Sequence, residues 1–138
     1  MTAPAARLND WQSRLGALLA ERRDAPFAWG ENDCCTFACD CVLAISGHDP
    51  AEGFRAHRTA EEATKVLRAL GGVQGAADAL LGPRIAPALA QVGDIGLGDL
   101  EGRATLLVCV GDAWVGPGGA GSVRLPFEVV ADTAWRAF

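Results

Sequence analysis

Apolar residues recur at helical spacing through the first half of the chain and in short blocks through the second. Leu8, Trp11, Leu15, Leu18 and Leu19 fall three or four positions apart, the spacing of one helical face. They predict a helix from about Leu8 to Arg22, with Asn9 or Asp10 as its cap. Pro26 in "DAPF" ends it, because the residue before a proline is pushed out of the helical region. A second helix is predicted from about Asp33 to Ile45, stopping at Gly47. A third opens at Thr59, with Glu62 three residues on in the pattern of a capping box. Ala63, Val66, Leu67 and Leu70 form its apolar stripe, Gly71 and Gly72 end it, and a short fourth helix covers Ala76 to Leu81.

After about Val92 the pattern changes. "GDIGL", "ATLLVCV", "DAWVG" and "SVRLP" are short apolar runs between glycines, the length and punctuation of strands. "VGDAW" predicts a tight hairpin turning at Gly111-Asp112. "GPGGAG" reads as a loop, and "FEVVADTAWRAF" as a closing helix. Helices followed by an antiparallel meander give an α+β class. The expectation is one domain over residues 1–138, helical at about 8–81, β at about 92–126, with a C-terminal segment at 127–138.

Composition narrows the function. Half of the 138 residues are apolar, enough for a core without staples, and the net charge of −5 with scattered arginines argues against nucleic-acid binding. The start, "MTAPAARLNDWQSRL", lacks the charged and apolar regions of a signal peptide, and no run approaches a membrane span. A chain made in the cytoplasm without membrane insertion is expected. Five cysteines, an odd count, read there as free thiols.

Four of those cysteines crowd into "WGENDCCTFACDC". At about 100° per residue, Cys34 and Cys41 fall on one side of the second helix and Cys35 and Cys39 on another. One helix cannot aim all four at one ion, so no metal or cofactor is expected. Cys35 and Cys39 remain candidates for a metal shared with a partner chain. Cys39 and Cys41 read more simply as small buried apolar residues. Cys34 differs by its place in the first helical turn, where the positive end of the helix favours thiolate. Asp33 before it reads as the helix cap, and Trp29 and Gly30 as a packing aromatic and a tight turn.

"FAWGENDCCTF" resembles the core motif of the NlpC-type cell-wall peptidases of the papain-like superfamily, an aromatic-x-Trp-Gly, a spacer, then Asp-Cys-Ser-Gly at a helix start. Trp29, Gly30, Asp33 and Cys34 match it, while Cys35 stands for the serine. Gly93-Asp94 is similar to that family's Gly-Asp-Leu strand, and "TLLVCVGDAWVGPG", anchored on Gly111, to its histidine-bearing hairpin. The stretch from Trp29 to Pro50 resembles more closely a family of small phage and prophage proteins encoded among tail genes. The resemblance implies an NlpC-like, papain-like fold with Cys34 as nucleophile toward peptidoglycan stem peptides. Its histidine position falls on or next to Thr105, and the residue that would orient the histidine falls near Gly116 or Pro117. None of these accepts a proton near neutral pH. His48, fourteen residues after Cys34, would be about 21 Å away along a helix, and His57 is the remaining candidate base.

Three expectations follow. The first is a catalytically degenerate component of a phage-type tail, near the tail tip or baseplate, docked to other tail proteins and assembled into a virion. The second is an active cysteine peptidase or amidase using Cys34, with His57 or a partner's residue as base. The third is a metal-binding interaction module built on Cys35 and Cys39.

Overall fold

The structure, a computed structural model, describes residues 6–52, 59–100, 102–129 and 133–137. Four helices come first: α1 (Trp11–Arg22), α2 (Cys34–Ser46), α3 (Ala60–Leu70) and α4 (Gly72–Leu80). Six strands follow: β1 (Arg84–Ile85), β2 (Ile95–Leu100), β3 (Arg103–Cys109), β4 (Ala113–Gly118), β5 (Gly121–Pro126) and β6 (Thr133–Trp135). They form one sheet in the order β1-β6-β2-β3-β4-β5, with every pair antiparallel. The α+β class and the order of helices before sheet are as expected from the sequence.

Local chemistry explains the helix limits. Asp33 caps α2 through both parts of a capping box: its Oδ1 accepts the Thr36 backbone N–H at 2.8 Å, and Thr36 Oγ1 accepts the Asp33 N–H at 2.9 Å. Gly47 closes α2 at φ 77°, its N–H donating to the Leu43 carbonyl at 2.7 Å. Thr59 caps α3 by accepting the Glu62 N–H at 3.1 Å. Asp10 occupies the cap position of α1 without a side-chain cap; its carboxylate instead takes Arg14 at 2.9 Å. The fourth helix starts four residues earlier than the sequence suggested. Gly71 and Gly72 both hold positive φ, at 91° and 84°, so the chain leaves α3 and re-enters a helix at once.

Two sequence expectations are corrected. Among its described residues "FEVVADTAWRAF" forms no closing helix: Phe127–Val129 is a single 3-10 turn, and Thr133–Trp135 is strand β6, inserted between β1 and β2. Pairing decides this segment, with Trp135 opposite both Arg84 and Ile95 and wholly buried. "GPGGAG" is strand rather than loop at Gly116–Gly118, which pairs with Gly121–Val123 of β5 around a two-residue turn. Pro117 is tolerated because the β3–β4 pairs are Val108↔Val115 and Cys109↔Trp114, so beyond them β4 runs as an edge toward β3. The Gly111-Asp112 turn is found where expected, with the Val110 N–H donating to the Ala113 carbonyl at 2.9 Å.

The core lies between α2 and the sheet, where Phe37, Ala38, Cys41, Val42 and Ile45 meet Ile95, Leu106, Val108 and Trp135. A second cluster on the other face of the sheet packs Trp114 with Leu107, Cys109 and Ala134, and Phe127 stacks on Trp114 at 5.5 Å. Gly96 lies under this tryptophan: a Cβ there would sit 2.6 Å from Trp114 Cζ3. Gly96→Ala is expected to destabilise the fold by about 1–3 kcal/mol through overpacking, read as a lower midpoint in urea unfolding. A change below the error of that measurement would show that the indole moves aside freely.

Candidate functional site

The start of α2 is built by a short loop. Ala28 and Asn32 bridge across it, with the Asn32 N–H donating to the Ala28 carbonyl at 2.7 Å. Gly30 turns the chain at φ 76°, and its N–H donates to Asp33 Oδ2 at 2.9 Å. Trp29 packs edge-on against Phe27 at 4.7 Å. Asn32 is buried, donates to the carbonyls of Ala25 and Pro26, and accepts from Arg22 at 3.0 Å. Arg22 also pairs with Asp40 at 2.6 Å. This network ties the end of α1, the loop and α2 into one unit, so the position of Cys34 is fixed from three sides.

Cys34 opens into a cavity of about 140 Å³ between the start of α2, strand β3, the tip of β4 and the pair α3–α4. Val66, Leu67, Leu70, Val73 and Leu80 give it an aliphatic wall. Phe27, Trp29, Arg103, Thr105 and Pro117 line it as well. Arg103 lies over the Phe27 ring at 5.3 Å.

The thiols are not equivalent. The Cys34 pKa is lowered, first by a hydrogen bond from the Cys35 thiol and then by the Leu106 backbone N–H; burial and the Asp33 carboxylate act against this. Cys35 is driven strongly upward, because it donates to the Cys34 sulfur, is buried and faces that negative charge. Burial also raises Cys41 and Cys109. The Leu106 N–H reaches Cys34 on the stretch of β3 that β4 has already left.

The sequence placed Cys34 and Cys41 on one side of the helix and Cys35 and Cys39 on another. In the structure, Cys34, Cys35 and Cys39 all border the cavity, while Cys41 points into the core. The cavity wraps around the helix start, and a residue in the first turn reaches it from either side. Cys39 and Cys41 are buried, as small apolar residues would be. Among the described residues no group of three or more His, Cys, Asp or Glu side chains is placed to hold a metal ion.

Thr105 borders the same cavity as Cys34, and its Oγ1 donates to the Arg103 carbonyl at 3.0 Å. Pro117 lines the cavity too. At Gly116 a Cβ would meet Leu107 Cδ2 at 2.6 Å. His48 is exposed beyond the far end of α2, and His57 lies outside the described residues. Gly93 and Asp94 belong to the scaffold: the Gly93 N–H donates to the Cys109 carbonyl, and Asp94 is wholly buried against the C-terminal segment. Gly111 turns the β3–β4 hairpin at φ 106°.

Sequence reasoning missed Arg103, the Leu106 N–H and the Arg22–Asn32–Asp40 network. Arg103 was within reach, since it stands two residues before Thr105 and shares its strand face. A backbone donor and a long-range polar network leave no local signal. No helix among the described residues is long and apolar enough to cross a membrane.

A family model described as a domain of unknown function (DUF6950) matches residues 6–137. No curated protein matches the chain.

Proposed function

Because the chain belongs to the DUF6950 family, whose description gives no function, its role has to be read from the site, and we propose that it is a non-catalytic, NlpC-like component of a phage-type tail, docked near the tail tip or baseplate. The observation that carries this reading is the pairing of Cys34 with Thr105 in one cavity. A nucleophile position is kept at a helix start, while the strand position where an NlpC-type peptidase would carry its proton acceptor holds a hydroxyl that cannot serve as a base near neutral pH. The aromatic and cationic surround of Phe27, Trp29 and Arg103 supplies the kind of surface that anchors a protein partner. Deleting the gene from the phage or prophage that encodes it, then complementing with the wild type or Cys34→Ala, tests this. Tail particles should contain the chain, be lost on deletion and be restored equally by both versions. Complete particles without the chain, or failure of Cys34→Ala alone, would overturn the proposal.

A second reading, an active cysteine peptidase or amidase, is favoured by the lowered pKa of Cys34. Near pH 6.5 an ordinary thiol is only about 1% thiolate. Even allowing for the lower intrinsic nucleophilicity of a more acidic thiol, Cys34 is expected to alkylate roughly tenfold faster than the other four cysteines, read by iodoacetamide labelling and peptide mapping. Against a free model thiol the advantage should shrink above pH 9, where ordinary thiols ionise, whereas the raised Cys35, Cys41 and Cys109 gain nothing there. Labelling of Cys34 no faster than a model thiol would remove the enzyme reading.

A further inference from the structure

We propose that the cavity beside Cys34 is an attachment site for an aliphatic acyl group of about six carbons, delivered as a thioester and held on the Cys34 sulfur. This inference does not rest on the tail reading. It comes from the match between the aliphatic lining and the thiol that borders the same cavity.

The side chains of Val66, Leu67, Leu70, Val73 and Leu80 present only aliphatic carbon to the cavity. Such a wall gives no hydrogen-bond partner to a charged peptide, and burying unpaired polar groups there would be costly. It suits a hydrocarbon. An apolar cavity of about 150 Å³ holds a benzene, so a volume of about 140 Å³ takes roughly six carbons. Cys34 borders this space, so its sulfur and the aliphatic lining share one cavity. A chain seated against α3 and α4 brings its carbonyl end to that sulfur.

The step is a thioester exchange. Cys34 Sγ, as thiolate, forms a bond to the carbonyl carbon, and the bond from that carbon to the carrier sulfur breaks. The carrier leaves as a thiolate and takes up the proton that the Cys34 thiol released to solvent, so no oxidant or second co-reactant is needed. Release of the acyl group would require a base to activate water. Among the described residues no imidazole borders the cavity: His48 is exposed beyond the end of α2. On this proposal the acyl group is retained on Cys34 rather than hydrolysed.

The experiment uses the full chain with acetyl and hexanoyl thioesters of N-acetylcysteamine, followed by intact mass and peptide mapping. One hexanoyl group should appear on Cys34 and persist after the reagent is removed. Hexanoylation should outpace acetylation by at least tenfold, a conservative share of the roughly 200-fold that four fully buried methylenes would give. Val66→Trp, which fills the cavity from a half-buried position on α3, should bring the hexanoyl rate down to the acetyl rate. The chain-length comparison on the wild type stands even if this variant folds poorly. Equal rates for the two thioesters, modification at another cysteine, or no modification would overturn the proposal. So would continuous release of free hexanoate, which would make the site a catalyst.

Discussion

Replacing Asp94 with alanine is expected to destabilise the fold by about 3–5 kcal/mol. The carboxylate is wholly buried at the start of β2. It accepts the Gln91 N–H at 2.9 Å and the Ala137 N–H at 3.0 Å, and lies 3.5 Å from Arg136. It therefore ties the loop before β2 to the residues after β6, and so holds β6 in its slot between β1 and β2. Alanine leaves the buried Ala137 N–H and the Gln91 N–H without their acceptor and removes the carboxylate beside Arg136, and hydrogen bonds to a charged group are each worth about 1.5–3 kcal/mol. Breaking a buried charge pair from one side costs a similar total. A domain of this size has roughly 5–15 kcal/mol of stability in all, so the variant should unfold at a much lower urea concentration. Asp94→Asn, which keeps one acceptor oxygen, should lie between. Asp112→Ala, at an exposed pair with Arg124, should be close to wild type. A loss below about 1 kcal/mol for Asp94→Ala would mean that water replaces the carboxylate.

This role of Asp94 shows where the sequence was readable and where it was not. "GDIGL" announced a strand, and Gly93-Asp94 stood out as a motif, yet the contact that ties Asp94 to the end of the chain lies more than forty residues away at Ala137. Interactions that close within a turn were legible. The Asp33–Thr36 box, the Thr59 cap and the Gly111-Asp112 hairpin each depend on residues three or four apart. Thr133–Trp135 was not legible, because three residues carry too little periodicity and their state is set by pairing with Arg84 and Ile95. Gly116–Gly118 was misread for a related reason. Glycine and proline lower strand propensity, but β5 supplies the pairing and the open side toward β3 removes the need for a proline N–H.

The site divides in the same way. Cys34 was singled out by its place at a helix start, and Thr105 by the spacing of the hairpin motif; both border one cavity. What makes Cys34 chemically distinct could not be read off the residue string. The influences that lower its pKa most are the thiol of its own neighbour Cys35 and a backbone N–H at Leu106. The first looks like packing in a sequence, and the second has no side-chain identity at all. The aliphatic wall was visible only as the stripe of α3, which alone could equally have been core.

Thr105→His is expected to turn the Cys34 site from one that is filled once into one that turns over. Thr105 is nearly buried, borders the cavity beside Cys34, and spends its hydroxyl on the Arg103 carbonyl at 3.0 Å. Losing that bond costs only about 1 kcal/mol, so the variant should fold. The introduced imidazole would stand on or next to the position that the resemblance to NlpC-type peptidases gives to their base. A positioned general base contributes about 10²–10⁴ in rate. Pro117, the neighbour available to orient the ring, offers no side-chain acceptor, so the gain should fall at the lower end. Hydrolysis of hexanoyl-Cys34, followed as loss of the acyl mass, should accelerate about 10²-fold. The sign with pH is fixed by the neutral imidazole being the acceptor: the rate should rise as pH passes about 6.5 and be lost on acidification. The gain should vanish in the Cys34→Ser, Thr105→His double variant, which cannot form the thioester. A folded Thr105→His protein whose acyl group is as durable as the wild type's would place position 105 out of reach of the thioester.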